Sequence, residues 1–128
     1  MIIGLGCDVV NIERLNKSRE FVERFMQRIL GEHEFGEIKK ITDFQSLICS
    51  LAKRYAAKEA FVKALGTGFR NGVYLRDIEV LHNDLGKPVL KVNGIAKTLL
   101  SVNGDNVSVH VSLSDDYPYA QAVVIIEK

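Results

Sequence analysis

At 128 residues, nearly half apolar and about a quarter charged, the chain has the balance of one soluble globular domain, residues 1–128, with room for a real core. Seventeen Lys and Arg against sixteen Asp and Glu leave a formal charge of +1, which argues against general nucleic-acid binding and its strongly basic face. No apolar run approaches the length of a membrane span. Cys7 and Cys49 have neither metal-ligand spacing nor a framework of pairs, so a reduced, cytoplasmic protein is expected.

The opening MIIGLGCDVV is apolar but lacks a basic leader and carries Asp8, so it reads as a buried strand over residues 2–10. In an extended strand Ile2, Gly4, Gly6 and Asp8 share one face. Two glycines beside a carboxylate leave a patch where a ligand or another backbone can approach. Asp8 is either part of such a site or a strand-end cap for the helix that starts near Asn11. From Asn11 to Leu30 the pattern is helical, with Ile12, Leu15, Val22, Phe25 and Ile29 as anchors. Arg14, Lys17, Arg19, Arg24 and Arg28 make this segment basic, which fits either a solvated face or a docking surface for an acidic protein.

A short helix is expected over Glu32–Ile41 and a long one over Phe44–Leu65, stopping at Gly66, Gly68 and Gly72. On the long helix Ala56, Ala57, Ala60, Phe61, Ala64 and Leu65 form an apolar stripe, flanked by Arg54 and Lys58 on one side and by Glu59 and Lys63 on the other. As an i,i+4 pair Glu59 and Lys63 add only about 0.2–0.5 kcal/mol to an exposed helix. The loop GTGFRNG beyond it offers backbone donors and Arg70, groups suited to phosphate, although the helix C-terminus disfavours an anion. If the fold sets Asp8 against Glu59, the two carboxylates suit Mg²⁺, which takes its other ligands from water and substrate phosphates. Lys63 would then neutralise the same phosphate group.

RDIEVLHN and PVLKV read as strands joined by the turn DLGK, GIAKTLLSV as a short helix, and VSVHVSLS and YAQAVVIIE as closing strands. His110, on the polar face of its strand, is read as structural; His33 and His82 have no partner identifiable in sequence. The order predicts an α+β fold with a mainly antiparallel sheet packed against a long helix.

Three ordered blocks carry a resemblance. IGLGCDVVNIERL resembles the amino-terminal Gly-x-Asp motif of the holo-acyl-carrier-protein synthases. RYAAKEAFVKALGTG resembles their Lys-Glu-Ala motif, and VHVSLSDDYPYAQAVVIIE their closing strand pair; RFMQRIL and LGKP are similar to segments between them. The resemblance covers essentially the whole chain. It implies the 4′-phosphopantetheinyl transferase fold and transfer of 4′-phosphopantetheine from coenzyme A to a serine of an apo acyl carrier protein, leaving adenosine 3′,5′-bisphosphate. It further implies that Asp8 and Glu59 bind Mg²⁺ and that Lys63 meets the phosphate under attack or the leaving group. Arg54, Lys58, Gly66, Lys87 and Pro88 would contact coenzyme A, and Arg14, Arg24 and Arg28 the carrier's acidic helix. Short members of the family are trimers with sites between subunits. Either Glu59 or a water would take the serine proton. A degenerate binding module without turnover is the rival reading. One departure stands out: Asp115 occupies the position where many members have His, and reads as a harmless variant or, preferably, as a turn residue or an extra neighbour of the metal.

Overall fold

A computed structural model describes residues 1–69 and 72–128. Strand β1 (Ile2–Asn11) is followed by a single 3₁₀ turn over Ile12–Leu15, then helices α1 (Arg19–Ile29), α2 (Glu32–Ile38) and α3 (Phe44–Leu65). A second 3₁₀ turn, Leu75–Asp77, leads into β2 (Ile78–His82) and β3 (Pro88–Val92). Helix α4 (Gly94–Ser101) and strands β4 (Ser108–Asp116) and β5 (Tyr119–Glu127) complete the chain.

The helix expected from Asn11 to Leu30 is two elements. Asn11 caps only one turn, its Oδ1 accepting from the Glu13 N–H at 3.0 Å. Ser18 then restarts the helix by accepting from the Phe21 N–H at 3.1 Å. The second helix ends at Ile38 rather than Ile41. Helix α3 matches its expected bounds. Asp43 caps its start, and Gly66, in the left-handed region at φ 82°, closes its end with its N–H on the Val62 and Lys63 carbonyls.

All strand pairing is antiparallel. One sheet has the order β1-β5-β4, and β2 and β3 form a separate hairpin. Alternation sends Ala120, Ala122, Val124 and Ile126 of β5 inward, where they meet α3. On its other side α3 meets β2, over which α2 lies. Thus α3 is buried on two sides, and its buried residues include Leu51, Ala56, Ala57, Ala60 and Phe61 together with Arg54 and Lys58.

Candidate active site

The site begins with two glycines. A Cβ at Gly6 would lie 1.8 Å from the Ala60 carbonyl oxygen, and one at Gly4 would lie 2.2 Å from that of Ala64. The approach anticipated from the bare strand face is therefore made by the α3 backbone itself. Strand and helix run in opposite directions, and two strand residues (about 6.6 Å) span nearly the same length as four helical ones (about 6 Å). One more step of this register carries Asp8 to the turn of α3 bearing Tyr55 and Glu59.

Around Asp8 the charges are partly open. Lys63 donates to Asp8 Oδ1 at 3.1 Å and to the Cys7 carbonyl at 3.0 Å, while its side chain remains 55% exposed. Lys63 thus pairs with Asp8; among the described residues no Glu59–Lys63 ion pair forms. Glu59 is half-buried. Tyr55, one turn before it, directs its hydroxyl at the Glu59 carboxylate; burial, then that contact and its charge, push the phenol above its ordinary range. The Tyr55 ring leans on Phe25, with centroids 5.6 Å apart, and the Arg28 guanidinium covers the other ring 5.5 Å from its centroid.

Two openings meet at Tyr55. One is a groove of about 490 Å³ floored by Val10, Leu15 and Phe25 and rimmed by Arg14, Arg24 and Arg28. The other, a cleft of about 650 Å³, exposes Glu59 between α1 and the segment Tyr74–Arg76. Both volumes are those of ligand sites rather than packing defects. The three arginines expected to act together do share one groove. Neither Tyr55 nor Arg76 was among the expected site residues. The i,i+4 spacing of Tyr55 to Glu59 was a usable signal; Arg76 had none, because it reaches the cleft from a distant loop.

Arg54 and Lys58, expected at coenzyme A, lie elsewhere. Lys58 is completely buried: its ammonium donates to the Ile29 and Leu75 carbonyls at 2.6 and 3.1 Å and pairs with Glu34. Arg54 donates to Glu34 at 3.3 Å, to Glu37 at 2.8 Å and to the Val80 carbonyl. Burial pulls the Lys58 ammonium below the ordinary lysine range, with Glu34 pulling the other way. All three Lys58 donors are taken by protein, and Arg54, which also donates to Ser50, is buried among its acceptors, so neither cation is presented to a ligand. The physical reason is the second buried side of α3, which turns two flanking cations inward.

A family model described as the 4′-phosphopantetheinyl transferase superfamily matches residues 4–122. The chain belongs to this superfamily. It is 47% identical to the holo-[acyl-carrier-protein] synthase of Erythrobacter litoralis over 99% of this chain and 97% of that one. The crystal structure of the synthase from Neisseria meningitidis superposes with a TM-score of 0.86 at 38% identity, covering all of both chains. A synthase from Bacillus anthracis, solved in complex with CoA (3′,5′-ADP), gives a TM-score of 0.81 at 35% identity over 100% of this chain and 98% of that one.

The remaining expected positions that the structure describes lie away from the two openings. Asp115 is not a turn residue. It belongs to β4 opposite Ala120, accepts from the Cys49 thiol at 3.1 Å and pairs with Lys53 at 3.1 Å. The thiol's hydrogen bond and then Lys53 hold its carboxyl below the usual range, so its charge is matched within the fold. Cys49 in turn is pushed up, first by burial and then by Asp115. Lys87 and Pro88 sit at the tip of the β2–β3 hairpin, where the Asn83 side chain accepts from the Leu85 and Lys87 N–H groups at 3.0 Å. Among the described residues they line neither opening. Gly66 is exposed at the end of α3, and Arg70 lies outside the described residues.

The histidines are all paired. His110 meets Glu127 at 2.8 Å, His33 meets Glu79 at 3.0 Å and His82 meets Glu37 at 2.8 Å. Glu79 also accepts from the His33 and Glu34 N–H groups, capping α2 from a neighbouring strand.

Proposed function

We propose that the chain is a holo-[acyl-carrier-protein] synthase, one domain over residues 1–128, that moves 4′-phosphopantetheine from coenzyme A to a serine of apo acyl carrier protein. The observation that carries this reading is the partly exposed trio Asp8, Glu59 and Lys63, joined through Tyr55 to an arginine-rimmed groove. A binding module would need the arginines alone; nothing in the fold favours it.

The donor set fits magnesium. Asp8 and Glu59 offer hard oxygen ligands, and among the described residues no cluster of three or more metal-ligating side chains would complete a cage. A two-carboxylate site that leaves positions to phosphate oxygens is the form Mg²⁺ takes in phosphoryl transfer. When bound, the ion supplies positive charge to the pyrophosphate. Lys63, exposed and held only by Asp8 and a carbonyl, swings to a phosphate oxygen and neutralises charge as it builds. The carrier serine Oγ bonds to the pantetheine-side phosphorus, the bond to the bridging oxygen breaks, and adenosine 3′,5′-bisphosphate leaves with that electron pair. Glu59, or a water held at the same site, receives the serine proton.

The reading extends to assembly and location. The outward face of β1 and β5 exposes Leu5 and Val9 at 66% and 56%, beside Ile3, Val123 and Ile125. A contiguous apolar face of this kind favours association, in keeping with a homotrimer. Subunit contact would also give Lys87, Pro88 and the hairpin tip a neighbour's coenzyme A to meet. Sedimentation velocity tests this directly: a single-chain mass in solution would remove the trimer. Two free thiols, one exposed, suit the reducing cytoplasm.

Intact-mass spectrometry of an apo carrier incubated with this chain, coenzyme A and Mg²⁺ tests the activity. One phosphopantetheine adduct is expected, lost with chelator and lost by at least about a thousandfold in rate with a folded Glu59→Ala variant. Transfer retained by that variant would overturn the role of Glu59.

A further inference from the structure

The cleft that exposes Glu59 has two banks. One is α1, with Arg24, Gln27 and Arg28; the other is the second 3₁₀ turn, with Arg76, and Tyr74 just before it. Among the described residues three guanidiniums therefore face one lining carboxylate, that of Glu59. Arg76 is exposed, and among the described residues it forms no ion pair. Such an arrangement favours an anionic visitor between the banks.

The geometry says which visitor. Asp8 and Lys63, the groups suited to pyrophosphate, do not line this cleft, so it opens on the other side of Glu59. Past Tyr55 of α3, its α1 bank continues through Arg24 and Arg28 into the apolar-floored groove that ends at Arg14. The mouth of the cleft is thus the approach for the serine-bearing protein, and Arg76 stands across that approach from α1. We propose that Arg76 is a specificity-determining residue for the carrier, reading an acidic side chain on the far side of the acceptor serine from the α1 arginines. This inference rests on the transferase reading. It makes recognition two-sided: an acidic helix that satisfied α1 alone would dock without centring its serine on Glu59.

The test is steady-state transfer with apo carrier and coenzyme A varied separately, for the unaltered chain, Arg76→Ala and Arg76→Glu. The carrier KM is expected to rise roughly three- to tenfold for alanine and further for glutamate, with kcat and the coenzyme A KM within about twofold. The salt dependence of the carrier KM should become shallower in Arg76→Ala, since one screened contact is gone. A carrier with one acidic residue near its serine changed to lysine should be restored specifically by Arg76→Glu. A raised coenzyme A KM with an unchanged carrier KM would assign Arg76 to the donor and overturn the inference. So would two unchanged constants. Absence of any adduct with the unaltered chain would instead remove the transferase reading, and this inference with it.

Discussion

Helix α3 carries the same chemistry twice, with opposite fates. On one side Glu59 and Lys63 stay open, with Lys63 held by two contacts. On the other side Lys58, the residue before Glu59, has no exposed surface and three protein acceptors, and Arg54 is buried against Ser50, Glu34, Glu37 and the Val80 carbonyl. A buried charge must be completely satisfied, because any donor left over would be desolvated without return. A charge meant for a ligand must keep donors spare. Degree of satisfaction, more than residue type, separates the scaffold of this protein from its site.

The sharpest way to break that contrast is Lys58→Ala. It leaves the buried Glu34 short of its main cation, and a loss of about 3–5 kcal/mol in chemical denaturation is expected. Lys58→Met combined with Glu34→Gln should recover much of this loss; a double variant no more stable than Lys58→Ala would mean that charge balance is not what the cluster supplies. On the open side, Arg14→Glu should leave stability unchanged and raise the carrier KM by roughly tenfold, with a marked change in its salt dependence. Altered coenzyme A kinetics instead would misplace the docking groove.

The smallest effect concerns acid. Burial alone would raise the Glu37 carboxyl, but hydrogen bonds from His82 and Arg54 outweigh it and hold the pKa at about 2, against an ordinary value of 4.5. Glu79 is lowered too: burial raises it, and its bonds from His33 and the α2 amides more than offset this. A depressed folded value means stabilisation that is complete above the unfolded value and lost as pH falls through the folded one. Thermal midpoints should therefore drop between about pH 4.5 and pH 2, and Glu37→Gln should flatten that slope. An unchanged slope would show that the α2–β2 clamp does not govern acid unfolding.

Much of this organisation could be read from the chain. Phe44–Leu65 announces itself by periodicity and by the glycine that stops it, and the strands by alternation. The bare face of Gly4 and Gly6 correctly required a close neighbour. What could not be read was which neighbour lay on the second side of α3. A helical wheel shows one apolar stripe; it cannot show that α2 and β2 bring Glu34, Glu37 and the Val80 carbonyl to the cations beside that stripe. Arg54 and Lys58 were misplaced for that reason. Asp115 was misread because its partners, Cys49 and Lys53, sit one turn apart on a helix more than sixty residues earlier in the chain. Tyr55 and Arg76 likewise gain meaning only when α1 and the segment before β2 close around Glu59.

The contact of β1 with α3 has a mechanical consequence. At Gly4 and Gly6 no side chain stands between strand and helix, only main chain against main chain. Side-chain interfaces breathe as rotamers exchange, and mutation elsewhere can shift them by repacking. Here nothing is available to exchange. The gauge between the two backbones that carry Asp8 and Glu59 is set by main-chain van der Waals contact, so it should drift little with temperature or with changes in the surrounding core until the domain itself comes apart.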